Sequence, residues 1–410
     1  MTAGRRPVVF LHIGAMKTGT TYLQQLMLQN QASLLEAGVV FPTGPGGWRL
    51  QVEAVRDVMG TLIGTPTAAN RRAWASVHEQ IFAHDGTSVL SMEFMSFCDR
   101  ERAGKFVRRL EGADVRVILG LRDASRLVPA VWQEGARNYG VRPWPRFVAE
   151  LTAAEPDRST RAWKRFLRVQ DAPRMLDAWL AHLPAEKVHV LTVPRPGAAP
   201  DLLWRRFADI VGIDAAAVAE LPTPANESLG HASAELARRV NLAIGEDRTP
   251  LVHKASVSVM SKGVLAGRQR LEAPVRGDAA VREFGARWNA HVRDAVLRSG
   301  VSVSGDLDDL PVLPAPPPDD GPDVLSNPTV DEMLDAAAYA IVRLRRRVER
   351  RTQGAESQPK SVLAFLESVP TDPDWDPKAE WLRAKKPLAA AVGALAASVH
   401  AVADAPLSRP

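Results

Sequence analysis

The chain has 410 residues, enough for one large α/β domain with added elements or for two modest domains. Apolar residues make up 46% and charged residues 24%, and the net charge of +5 suits an anionic ligand while being too small to argue for a nucleic-acid partner. Cys98 is the single cysteine, which excludes an intramolecular disulfide and a cysteine-based metal site.

The apolar run Val8–Ile13 predicts a buried strand that ends in a glycine loop. It does not read as a secretory leader, and no run approaches the roughly eighteen apolar residues of a membrane helix. A cytoplasmic protein with no transmembrane segment is expected. Thr20–Asn30 predicts a helix, Gly38–Pro42 a short edge strand, and Thr43–Gly47 a loop. Arg71–His84 has helical spacing, Ser88–Ser91 is a short strand ending at Met92-Glu93, and Ala103–Leu110 is helical. Val115–Leu121 is a further apolar strand, followed by Leu127–Gly135 as a helix beginning near Pro129. Val188–Val193 is the next clear strand, and past it the strand signal fades into helices at Asp201–Val211, Ala232–Ala243 and Phe284–Arg298. Short apolar strands alternating with helical patterns predict an α/β fold: a P-loop-like parallel sheet flanked by helices.

This α/β domain is expected over 7–312, with a proline-rich linker at 313–328. Residues 329–410 are expected to be a helical, partly flexible extension. Leu334, Ala337, Ile341, Leu344 and Val348 form one apolar stripe, which predicts docking on the core or a homodimer contact. Arginines fill the opposite face over Arg343–Arg351 and suit anionic lipid or a polyanionic acceptor. An Ala-rich helix is expected at Leu388–Ala403.

The chemistry concentrates in "VVFLHIGAMKTGTTYLQQLM", Val8–Met27. A strand delivers the chain to Gly14, a loop turns through Gly19, and a helix starts at Thr20-Thr21. Helix-start amides are unpaired and the dipole is positive there, so the position attracts an anion. Thr18, Thr20 and Thr21 add hydroxyls and Lys17 adds a charge. A Walker-type loop places its lysine after the second glycine and relies on a magnesium-holding Asp. Here Lys17 precedes Gly19.

The run His12–Gln24 resembles the 5′-phosphosulfate loop of the sulfotransferases that use 3′-phosphoadenosine 5′-phosphosulfate (PAPS). The resemblance implies that Thr18, Gly19, Thr20 and Thr21 hold the 5′-phosphate and that Lys17 serves the oxygen bridging phosphate and sulfate. Tyr22 would stack on adenine. "VRVILGLRDASRLVPAVWQE", Val115–Glu134, is similar to the family's second signature and assigns Arg122 to the 3′-phosphate. It departs at Ala124, where the family has proline, and at Ala130, where it has a serine donor; Ser125 or Arg126 is the candidate replacement. Glu93 in "VLSMEFMSF" falls where many members keep a general base. "ANESLGHASAEL" (Ala225–Leu236) and "SGVSVSGDLDDLP" (Ser299–Pro311) look like later family segments, and Lys262-Gly263 partly matches its late basic run.

The resemblance covers roughly residues 7 to 312. It implies transfer of a sulfonyl group from PAPS to a hydroxyl or amine, without a metal and with PAP (adenosine 3′,5′-bisphosphate) as product. The acceptor would be a small molecule, lipid or glycan, and no nucleic acid is implied. The alternatives are a Mg-ATP kinase and a catalytically degenerate PAP-binding protein.

Overall fold

A computed structural model describes residues 6–218, 228–244, 257–316 and 327–352. The expected helix at Leu388–Ala403, residues Ala225–Glu227 and the linker from 317 to 326 lie outside the described residues. In chain order the elements are β1 (Val8–Gly14), α1 (Thr20–Gln29), α2 (Gln31–Glu36), β2 (Val39–Val40), α3 (Arg49–Met59), α4 (Ala68–Phe82), β3 (Thr87–Ser91), α5 (Arg100–Arg109), β4 (Asp114–Leu121) and α6 (Ala124–Arg137). There follow α7 (Trp144–Thr152), α8 (Arg161–Gln170), α9 (Ala172–Leu180), β5 (Val188–Thr192), α10 (Leu202–Val211), α11 (His231–Ile244), α12 (Val257–Gly263), α13 (Ala279–Ser299), β6 (Ser302–Ser304) and α14 (Val330–Thr352).

Six strands form one parallel sheet in the order β2-β3-β1-β4-β5-β6. Helices cover it, so the fold is α/β as the alternating pattern predicts. The central strands are buried and read as continuous apolar runs, the signature of a parallel sheet covered on both faces. Register sets Val8 opposite both Thr87 and Asp114, and His12 opposite Ser91. After β1 the chain leaves toward β2 and β3; after β4 it leaves toward β5. The connections part between β1 and β4, and ligands of open α/β sheets bind at the carboxyl ends of such a strand pair.

Chain packing groups the residues into two units. The first holds Met1–Val128, Asp157–Ala225 and Ala279–Pro317; the second holds Pro129–Pro156, Asn226–Asp278 and Pro318–Pro410. In the first, Phe10, Leu23, Leu26, Met27, Ile118, Leu191 and Phe207 belong to one buried apolar cluster. An aromatic group joins Trp163 and Phe166 of α8 to Phe284 and Trp288 of α13. Phe166 meets Phe284 and Trp288 edge-on at 5.3 and 5.2 Å. Each such pair contributes about 0.5–1.5 kcal/mol beyond area burial, which makes α8 a firm support.

In the second unit α14 lies on α11. Leu334, Ala337, Ile341 and Leu344 of the predicted stripe are buried there, so the stripe docks within the chain. Trp132 and Trp144 pack at 5.5 Å, and Arg238 pairs with Glu235 while donating to the Val141 carbonyl at 2.8 Å.

Two elements differ from expectation. The helix expected near Pro129 begins at Ala124, and Pro129 sits inside it. The start is fixed by caps: Ala124 N–H donates to Asn289 Oδ1 at 2.9 Å and Ser125 N–H to Asp123 Oδ1 at 3.0 Å. The second is β6, a three-residue strand paired to β5 in the stretch where strand signal had faded. Among the described residues no helix is long and apolar enough to cross a membrane.

Candidate functional site

The loop between β1 and α1 carries three left-handed residues: Gly14 (φ 92°), Lys17 (φ 66°) and Gly19 (φ 85°). For glycine this is free; for Lys17 it costs roughly 1 kcal/mol. Turns of this kind can gather successive N–H groups into an anion-binding concavity, and strain of this sort concentrates at functional sites. Gly19 is the N-cap of α1 and has no side chain with which to cap the first-turn amides, the groups a helix start offers to an anion.

Three successive loop carbonyls are held. Thr18 Oγ1 donates to Ala15 O at 2.6 Å, Gln170 Nε2 to Met16 O at 2.7 Å, and Arg122 Nη1 to Lys17 O at 3.1 Å. Ala15 N–H donates to Gly120 O at 3.0 Å, tying the loop to the end of β4. Two glycines permit this closeness. A Cβ at Gly120 would stand 3.0 Å from Thr18 Cβ, and a Cβ at Gly14 would stand 3.3 Å from Glu93 Cβ. Gly19 likewise leaves room for the Leu203 side chain.

Residues from three distant motifs therefore meet at the carboxyl edge of β1, β3 and β4. Glu93 opens a 3-10 turn, Glu93–Phe97, directly after β3, with its backbone against Gly14. Arg122 follows β4 and reaches the loop. Burial, aided by Arg126, pushes its guanidinium down to about 10; it stays charged at neutral pH, and an anion beside it would offset the desolvation of that charge. Among the described residues its buried Nε has no hydrogen-bond partner, and neither has Thr20 Oγ1. Buried polar atoms are rarely left unpaired, and these two orphans are what an anion in the concavity would satisfy.

The other expected site residues are placed as follows. Thr18 is 1% exposed and spends its hydroxyl proton on Ala15, so its contribution to a ligand is through the backbone. Thr21 stands half-buried in the first turn of α1. Tyr22 packs against the apolar cluster and donates at 3.4 Å to Pro200 O; burial, then Asp201, raises its phenol above the usual range. Ser125 donates its hydroxyl proton to Asp123 Oδ2 at 2.5 Å, making it a helix-start residue. Lys262 is exposed near the end of α12 and belongs to the second unit.

Beneath the loop, His12 Nδ1 lies 2.8 Å from Ser91 Oγ, Gln24 Nε2 donates to Ser91 O at 2.9 Å, and Ser91 N–H donates to Gln51 Oε1 at 2.7 Å. This network locks β1 to β3, the strands that lead into the loop and into Glu93. Full burial holds the His12 imidazole down to about 4. Sequence reasoning missed Gln170 and Arg174. Arg174 donates to Ser96 O and Cys98 O, both at 3.0 Å, and so pins the turn that Glu93 opens. Bonds from a side chain to a remote carbonyl leave no pattern in a sequence, which is why neither was found.

Comparison with protein-family models, curated proteins and solved structures finds no match to this chain.

Proposed function

We propose that the chain is a sulfotransferase that moves a sulfonyl group from PAPS to a hydroxyl or amine. The observation that carries this reading is the convergence of Lys17, Arg122 and Glu93 around one strained loop with orphaned buried donors. The donor set is cationic and amide-rich, as a phosphosulfate requires, and the first-turn amides of α1 with Thr20 Oγ1 would take the 5′-phosphate.

In the reaction the acceptor oxygen or nitrogen attacks sulfur as the bond from sulfur to the bridging oxygen breaks. The electron pair passes to that oxygen, which leaves on PAP. Lys17 meets the charge developing there, and donors aimed at developing charge are usually the largest catalytic contribution. Glu93 takes the proton from the acceptor, a role typically worth ~10²–10⁴-fold. Arg122 holds the 3′-phosphate and, through Lys17 O, the loop itself. Residues that hold the anion without a metal set this reading apart from a Mg-ATP kinase.

Incubation with sulfur-labelled PAPS and a panel of hydroxyl and amine acceptors tests the proposal. Label transfer to an acceptor is expected. Transfer of label from γ-labelled ATP instead would establish the kinase, and tight PAP binding without any transfer would establish the degenerate binder.

A further inference from the structure

Gln170 is the last residue of α8 and is 4% exposed. Its amide nitrogen lies 2.7 Å from the carbonyl of Met16, 154 positions away in the chain. The joint that carries it is stiff. Asp171 N–H donates to Leu167 O at 3.2 Å, and Asp171 Oδ1 accepts from Arg174 N–H at 3.2 Å, capping α9. Pro173 lies in the first turn of α9, where its fixed φ suits the helix. Behind the joint, α8 is anchored by Trp163 and Phe166 against Phe284 and Trp288. A donor on so firm a support fixes what it bonds.

The bonded group is one half of the Met16–Lys17 peptide. That peptide is trans, and in a trans peptide the C=O and N–H point in opposite directions. Holding the Met16 carbonyl toward α8 therefore turns the Lys17 N–H away from α8. We propose that Gln170 is a positioning residue that presents the Lys17 amide to the bound anion. The inference deepens the phosphosulfate reading but needs only that the loop binds phosphate oxygens. It also explains why Lys17 adopts a left-handed conformation that disfavours a side chain. The same joint supplies Arg174 to the turn that Glu93 opens, so residues 170–174 brace both sides of the site.

The test uses inorganic pyrophosphate as probe on the full chain labelled with ¹⁵N-lysine. In the wild type, pyrophosphate is expected to shift the Lys17 amide resonance. Gln170→Met keeps the bulk and removes the donor. It should weaken pyrophosphate binding roughly ten- to hundredfold, the range for a lost hydrogen bond to a charged group. It should also abolish the Lys17 shift while leaving the lysine resonances outside the loop unchanged. Gln170→Asn, which keeps an amide donor on a shorter stem, should recover part of the affinity.

An unchanged dissociation constant in a folded Gln170→Met protein overturns the proposal. A wild-type Lys17 amide that ignores pyrophosphate overturns it even if no variant folds. Binding of pyrophosphate without binding of PAP would defeat the PAPS reading and leave Gln170's role intact.

Discussion

The guanidinium of Arg122 lies 3.1 Å from the carbonyl oxygen of Lys17, joining the residue after β4 to the middle of the loop after β1. The two residues are 105 positions apart in sequence. Strand order brings their loops to one crevice, and the bond makes Arg122 both a wall of the candidate site and a support of the loop.

Arg122→Met should therefore weaken PAP binding by roughly ten- to hundredfold, the range for losing a hydrogen bond to a charged group. Folding should change little, because a desolvated guanidinium with an unpaired Nε is removed together with its burial cost. Calorimetry with PAP and thermal melting, run side by side, separate the two effects. A collapse in melting temperature with unchanged affinity would make Arg122 purely structural.

Lys17→Ala and Glu93→Gln should fail in different ways. The first loses PAP affinity and turnover together. The second keeps PAP affinity and loses turnover by ~10²–10⁴-fold, since a base acts on the acceptor. Full turnover in Glu93→Gln would place the base elsewhere.

Gly120→Ala probes how closely β4 carries the loop. The added methyl would stand 2.5 Å from Thr18 Oγ1 and 3.0 Å from Thr18 Cβ, and that hydroxyl is itself bonded to Ala15 O. A destabilisation of about 1–3 kcal/mol, as for overpacked cores, is expected together with weaker PAP binding. A neutral outcome in urea unfolding and in titration would mean the loop shifts at no cost.

Much of this was legible in the sequence. Val8–Ile13, Ser88–Ser91, Val115–Leu121 and Val188–Val193 are apolar runs, and each proved a strand because a covered parallel sheet needs apolar residues on both faces. Lys17, Arg122 and Glu93 follow such strands, but their roles were singled out by the resemblance of the runs around them to a known family's motifs. Other features were hidden. α6 starts at Ala124 because of Asn289, a residue from another helix, while Pro129 misled by resembling a first-turn proline. β6 is Ser-Val-Ser, with pairing but no apolar pattern. The hydroxyls of Thr18 and Ser125 looked like ligand donors, yet the first is spent on a backbone carbonyl and the second on a carboxylate.

Acid should weaken the fold through His12. Its folded value of about 4 lies below the ordinary 6.5, so above pH 6.5 the ring is neutral in both states and the stabilisation is complete. As pH falls toward 4 the unfolded chain gains a proton that the folded chain refuses, and stability declines. By pH 5 the loss is about 2 kcal/mol. Urea midpoints at pH 7 and pH 5 should drop more in the wild type than in His12→Gln. Equal drops would mean that His12 titrates freely in the fold.

The most direct test of the central claim is calorimetric titration of PAP into the full chain in EDTA, beside ATP with and without magnesium. PAP should bind without metal and more tightly than ATP, because in the proposed site loop amides, Thr20, Lys17 and Arg122 take the place of the contacts that a kinase draws from magnesium. No binding of PAP, or binding of ATP that requires magnesium, would contradict it.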